Sequence, residues 1–201
     1  MTTARDLLIT AMDVDPDRPV GQGDLSLALA GAEVIDLLAA DAVHLDGDRL
    51  VPAPEPTTED RLLAEAASSL VRQVPYEPVE DWLWRRGRGL AAVHLAALEA
   101  DGQLTRQRQR RLLFGAVRIV VVDSPARRRA LHRWAADEPV LVSLAAAVGI
   151  PAEQGADVPV VTDDAVTTVL AAVNDAVMEL EAVRQRRSIE NAAFANLWRG
   201  A

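Results

Sequence analysis

From Leu25 to Ala42 the apolar residues Leu27, Ala30, Val34, Leu37 and Leu38 return at the spacing of an α-helix. A stripe of that length has to be covered by other elements, and most of the chain repeats the same period. Ala4 to Met12 reads as a short helix with Leu7, Leu8 and Met12 inward, and Asp13 to Gly23 as a loop. Asp24 stands where it can cap the long helix. A helix from about Glu59 to Gln73, capped by Thr57 or Thr58, has Leu62, Leu63, Ala66 and Leu70 as its buried stripe. Glu80 to Arg85, Leu90 to Ala100, Pro125 to Ala136 and Asp137 or Glu138 to Val148 read as further helices. Thr162 opens a helix with Val166, Val169, Leu170, Val173, Val177 and Leu180 on one side, and Ile189 to Trp198 reads as a last one. Composition agrees: half the residues are hydrophobic, only 3% are aromatic and 36 are alanine, which favours helices over a β-sandwich.

Two segments break the helical period. Val43-His44-Leu45 and Arg49-Leu50-Val51 flank Asp46-Gly47, a hairpin signal. Leu104 to Val122 is apolar with a β-branched second half; it reads as two strands about a turn near Phe114-Gly115, or as one long strand. Prolines 52, 54 and 56 mark a short link, but no interdomain linker or repeat appears. The expected fold is mainly α, a single domain over residues 1–201 with two short β-hairpins. No run of apolar residues is long enough to span a bilayer, and the acidic flank of the N-terminal segment argues against a signal peptide. Without cysteine the chain has no disulfide, thiolate metal site or cysteine nucleophile, and a cytoplasmic setting is compatible.

The net charge of −9 argues against a general nucleic-acid binder. It hides an asymmetry. Arg85 to Arg133 contains 12 arginines and three acids, a net of +9, so the rest of the chain carries −18. Every basic residue is arginine, and with the alanine count this suggests a GC-rich bacterial genome. The clustering itself points to an anion-binding face, or to arginines paired with the surplus carboxylates.

No nucleophile elbow, P-loop or dinucleotide-binding glycine motif is present, and His44, His94 and His132 lack metal-ligand spacing. The expectation is a non-enzymatic protein that uses neither metal nor cofactor. Asp13, Asp15, Asp17 and Asp24 fall at positions 1, 3, 5 and 12 of a calcium loop, but Arg18 stands where the loop needs glycine. A solvated acidic loop accounts for them. Asp163 and Asp164 suit a helix N-terminus. Pro125 to Trp134 carries three adjacent arginines that could track phosphates or form a solvated face.

Within the island, Arg85, Arg86 and Arg88 surround Gly87 and Gly89. Glycines admit an anion close to the backbone, and guanidinium forks match phosphate oxygens. Arg106, Arg108, Arg110 and Arg111 lead into Leu112, Leu113 and Phe114, an apolar hairpin tip beside cations that suits a bilayer interface or, alternatively, the core.

The order of LLITAMD, LSLALAGAEVIDLLAADAVHLDGDRL, LLAEAASSL, VEDWL and DGQLTRQRQRRLLF resembles the Golgi phosphoprotein 3 family with its bacterial relatives, over almost the whole chain. The resemblance implies amphipathic helices around a central helical core and a peripheral membrane role without enzymatic activity. Eukaryotic members bind phosphatidylinositol 4-phosphate in a basic pocket, use a hydrophobic hairpin for membrane contact or self-association, and act as adaptors for cytosolic tails of glycosyltransferases. Aligned without gaps, the family's pair of headgroup arginines falls at Arg88 and Ala91, its arginine on the first long helix at Ala30, and its pocket tryptophan near Gly21. Only Arg88 matches, with Arg85 and Arg86 as candidate substitutes. Leu112, Leu113 and Phe114 match the family's hairpin. The expected partner is an anionic phospholipid surface, met by Arg85, Arg86 and Arg88 and by the Leu112–Phe114 tip. The alternative is a protein-binding adaptor that forms homo-oligomers through the hairpin.

Overall fold

The computed structural model describes residues 2–13, 20–54, 58–108, 117–151 and 160–199, with side chains in all of these except 106–108, 117–118 and 192–199. Among them the order is α1 (Thr3–Asp13), α2 (Gln22–Ala39), β1 (Val43–Asp46), β2 (Arg49–Pro52), α3 (Arg61–Ser68), α4 (Val79–Arg86), α5 (Leu90–Ala100), β3 (Leu104–Arg108), β4 (Val117–Val121), α6 (Pro125–Ala135), α7 (Pro139–Ala147) and α8 (Asp164–Arg199). The fold is mainly α, and its strands form two antiparallel pairs, β1–β2 and β3–β4.

α2 is the axis of the fold. It packs against α1, α3, α4, α5, α7 and α8. Every residue from Leu25 to Ile35 is buried. A helix covered on all sides carries no polar face, and small residues let its neighbours come near. At Gly31 an added Cβ would stand 2.2 Å from Val173 Cγ2 on α8, so the two helices touch where only glycine fits. On another side, Trp82 of α4 is fully buried and its indole Nε1 donates to the Ala30 carbonyl at 3.1 Å.

Ion pairs fasten the outer helices. Asp36 of α2 accepts from the Thr3 and Ala4 amides at 2.8 and 3.1 Å, capping α1 from a distant element. Burial pushes the Asp36 carboxyl above its ordinary range despite these two bonds. Asp6, 1% exposed, receives Arg129 at 2.6 Å and Arg133 at 2.8 Å, and Asp13 receives Arg127 at 2.8 Å. Arg127, Arg129 and Arg133 of α6 therefore clamp α1, while Arg128 stays on the solvated side beside Asp123 at 2.9 Å.

Several element ends differ from the expectation for local reasons. Asp46 pairs with Arg49, so the first hairpin turns at residues 47–48, with Gly47 taking the positive φ of 62°. The long helix starts earlier than expected, with Gly21 at the cap position and Asp24 inside its first turn. Asp60 caps α3, accepting from Leu62 and Leu63 at 3.0 and 3.1 Å, and Asp163 accepts from Val166 at the start of α8. α3 stops at Ser68, where the hydroxyls of Ser68 and Ser69 bond to the Glu65 and Ala66 carbonyls. α8 is one continuous helix where two were expected.

Candidate functional site

The link between α4 and α5 is Gly87-Arg88-Gly89, packed on the first turns of α2. A Cβ on Gly87 would lie 2.5 Å from the Leu83 carbonyl oxygen and 3.3 Å from that of Ser26. Glycine is required for this approach. Gly89 takes a left-handed conformation, φ 71°, which lets the chain reverse into α5. The Ser26 hydroxyl then accepts from the Ala91 amide at 3.0 Å, stapling α5 to α2. Between these contacts Arg88 points outward and is exposed.

Arg88 lines a groove of about 310 Å³ with Gln22, Gly23, Ser26, Trp84 and Leu180. The floor is apolar and the rim is backbone, glycine and guanidinium. Among the described residues Arg88 has no carboxylate partner.

Its two neighbours in sequence are placed differently. Arg85 grips Glu77 with two bonds of 2.7 Å, donates to the Ser69 carbonyl, and lies 5.2 Å from the centroid of the Trp82 ring. The Glu77 bond raises the Arg85 pKa. Arg86 turns inward to Glu33 of α2, with bonds of 2.8 and 3.0 Å, and lies 3.6 Å from Glu65 of α3. Burial works against the Arg86 charge, but the Glu33 bonds and the charges of Glu33 and Glu65 outweigh it, and its pKa rises. His94 Nε2 lies 3.1 Å from the same Glu33 carboxylate, so a buried carboxylate holds two partners from α4 and α5. His94 is thus a core residue.

Leu112, Leu113 and Phe114 lie outside the described residues, between β3 and β4. Those strands pair antiparallel, Leu104 opposite Val121, so the run holds two strands and not one long one. Of the acidic loop, Asp13 pairs with Arg127 and Asp24 with Arg184, while Asp15 and Asp17 lie outside the described residues. No helix of the described residues is long and apolar enough to cross a membrane.

The sequence profile of the Golgi phosphoprotein 3 (GPP34) family matches residues 4–187, and the chain belongs to that family. Membership supports a Golgi phosphoprotein 3-like function. No curated protein matches the chain at a significant level. Of the four headgroup positions that the resemblance implies, Ala30 and Ala91 are buried and Gly21 begins α2, while Arg88 stands on the groove.

Trp84, Leu180 and Gln22 were not singled out by sequence reasoning as parts of a site. Trp84 had a local signal, an aromatic immediately before Arg85, the start of the basic cluster. Leu180 had none, because it reaches the groove from the far end of the chain.

Proposed function

We propose that this protein is a non-enzymatic peripheral membrane protein that captures an anionic phospholipid headgroup in the Arg88 groove. The observation that carries the reading is the exposed Arg88 guanidinium, without a carboxylate partner among the described residues, beside a concave surface lined by Trp84 and glycines. A guanidinium fork free of internal partners can give two bonds to a phosphate. Family membership and the match at Arg88 support the same reading. In this reading Arg85 and Arg86 do not line the groove but fasten α4 through Glu77 and Glu33, and Arg88 meets the ligand. Leu112, Leu113 and Phe114 supply the apolar contact with the interface.

Sedimentation with phosphatidylcholine vesicles carrying phosphatidylinositol 4-phosphate tests the proposal. R88Q should lower vesicle affinity about tenfold, the scale of one charge-assisted contact. R88Q pelleting like the parent chain, with both folded by circular dichroism, would remove Arg88 from the function.

A further inference from the structure

A second cation, from the other end of the chain, stands at the edge of the groove beside its lining residues Gly23 and Leu180. Arg184 of α8 lies one helical turn beyond Leu180, which lines the groove. A Cβ built on Gly23, also a lining residue, would come within 2.8 Å of both Arg184 Nη2 and Leu180 Cδ2. The Arg184 guanidinium thus rests over the groove's glycine lip, opposite the α4–α5 link that carries Arg88.

Arg184 is held there by a carboxylate. Its Nη1 donates to both oxygens of Asp24 at 2.7 Å, and Glu181 lies 3.7 Å away on its own helix. Asp24 in turn folds back over Gly21, where a Cβ would meet Asp24 Oδ2 at 2.3 Å. Both glycines of the Gly21-Gln22-Gly23-Asp24 run are needed to make room for this pair. The arrangement is a built contact and not a chance meeting of two surface chains. Arg184 is 40% exposed and Asp24 15%, so the guanidinium side of the pair is open to solvent and to an entering anion.

The geometry points to Arg184 as a second ligand-binding residue of the groove, with Asp24 standing in for a phosphate monoester that bridges Arg88 and Arg184. Asp24 keeps the guanidinium in place. An entering phosphate offers more acceptor oxygens and more charge than a carboxylate, and it takes over the Arg184 bonds while Asp24 turns to water. Arg187 lies one turn further along the same face and is exposed, extending the basic rim away from the body of the fold. This inference rests on the groove reading above. It adds a lock: Asp24 competes with the ligand, so removing Asp24 should improve binding.

The test uses the full chain with two probes that separate the sources of phosphate. One is phosphatidylcholine vesicles with phosphatidylinositol 4-phosphate; the other is soluble inositol 1,4-bisphosphate, measured by calorimetry. R184Q should weaken binding to the vesicles about tenfold, and D24N should strengthen it about fivefold. A parallel change toward the soluble probe assigns the effect to the phosphate itself. A change on vesicles alone assigns it to the phosphate presented by a membrane. In D24N/R184Q the gain from D24N should vanish, because it acts by releasing Arg184. A merely structural Arg184 would not make D24N a tighter binder, and melting curves of both variants check that they fold. If R88Q loses binding and R184Q keeps it, the groove stands and the role of Arg184 is refuted. A full D24N gain in the R184Q background also overturns it, leaving simple repulsion by Asp24. If the parent chain binds neither probe, the groove reading fails and this inference falls with it.

Discussion

Replacing Glu33 by glutamine separates the two ways of reading the α4 arginines. Glu33 has 2% of its side chain exposed and Arg86 12%, with two bonds of 2.8 and 3.0 Å between them. Two unit charges at that separation attract by about 6 kcal/mol at an effective dielectric constant of 20, before the cost of burying them. Breaking such a pair from one side typically costs about 3–5 kcal/mol, because the remaining charge stays buried. Glutamine keeps the volume and one acceptor, and Glu65 remains near Arg86, so the low end, about 3 kcal/mol, is expected for E33Q. For a chain of this size that corresponds to a fall in melting temperature of about 6–12 °C. Urea unfolding followed by circular dichroism measures it. The double variant E33Q/R86M should lose much less than the sum of E33Q and R86M, since it removes both charges together. A loss for E33Q below about 1 kcal/mol, or strict additivity in the double variant, would refute a buried Arg86–Glu33 pair. The same logic warns that substituting Arg85, Arg86 and Arg88 together would confound lost stability with lost binding; Arg88 has to be changed alone.

Trp82→Phe leaves the Ala30 carbonyl without its indole partner in the core and should cost about 1–3 kcal/mol in urea unfolding. Gly31→Ala drives a methyl into Val173 of α8 and should destabilise by about 1–3 kcal/mol, with a smaller loss when combined with Val173→Ala. Asp6→Asn weakens the hold of α6 on α1, leaving the Arg127–Asp13 pair, and deprives Arg129 and Arg133 of their shared carboxylate; a loss of about 3 kcal/mol is expected, and protease cleavage near α6 should rise. Asp36, whose carboxyl is raised above 3.8 by burial, binds its proton more tightly folded than unfolded. Its contribution is therefore greatest below the unfolded pKa and declines as pH rises through the folded one. The stability of the wild type relative to D36N should fall as pH rises from about 4, and a difference that grows with pH would overturn the assignment.

Local chemistry made much of the fold readable. The α5 boundaries, the first hairpin, the proline start of α6 and the opening of α7 at Glu138 depend on a few adjacent residues, and the chain obeys them. The helix caps were harder, because threonine and aspartate compete within a turn of each other; the stronger acceptors Asp60 and Asp163 hold the amides. α8 was read as two helices because its apolar stripe ends after Leu180. From Glu181 to Asn191 glutamate, arginine, glutamine and alanine carry the helix onward with no buried residue. The site was less readable. The arginine island is visible as a count, but what each guanidinium touches depends on tertiary contact. Arg86 meets Glu33 across 53 residues and Arg184 meets Asp24 across 160. Nothing in the neighbouring residues announces either pair.

The clamps made by Arg85, Arg86, Arg127, Arg129 and Arg133 change how this molecule looks to a partner from afar. Those cations are consumed by inward-facing or neighbouring acids, so the long-range field is set by the surplus of carboxylates and a net charge of −9. An anionic sheet of phospholipid would repel the body as a whole and attract it only at short range, within about one Debye length, 8 Å at physiological salt. Added salt then weakens the repulsion and the attraction together. Such a protein should show a shallow ionic-strength dependence of docking, unlike a polybasic tail that is stripped off by modest salt.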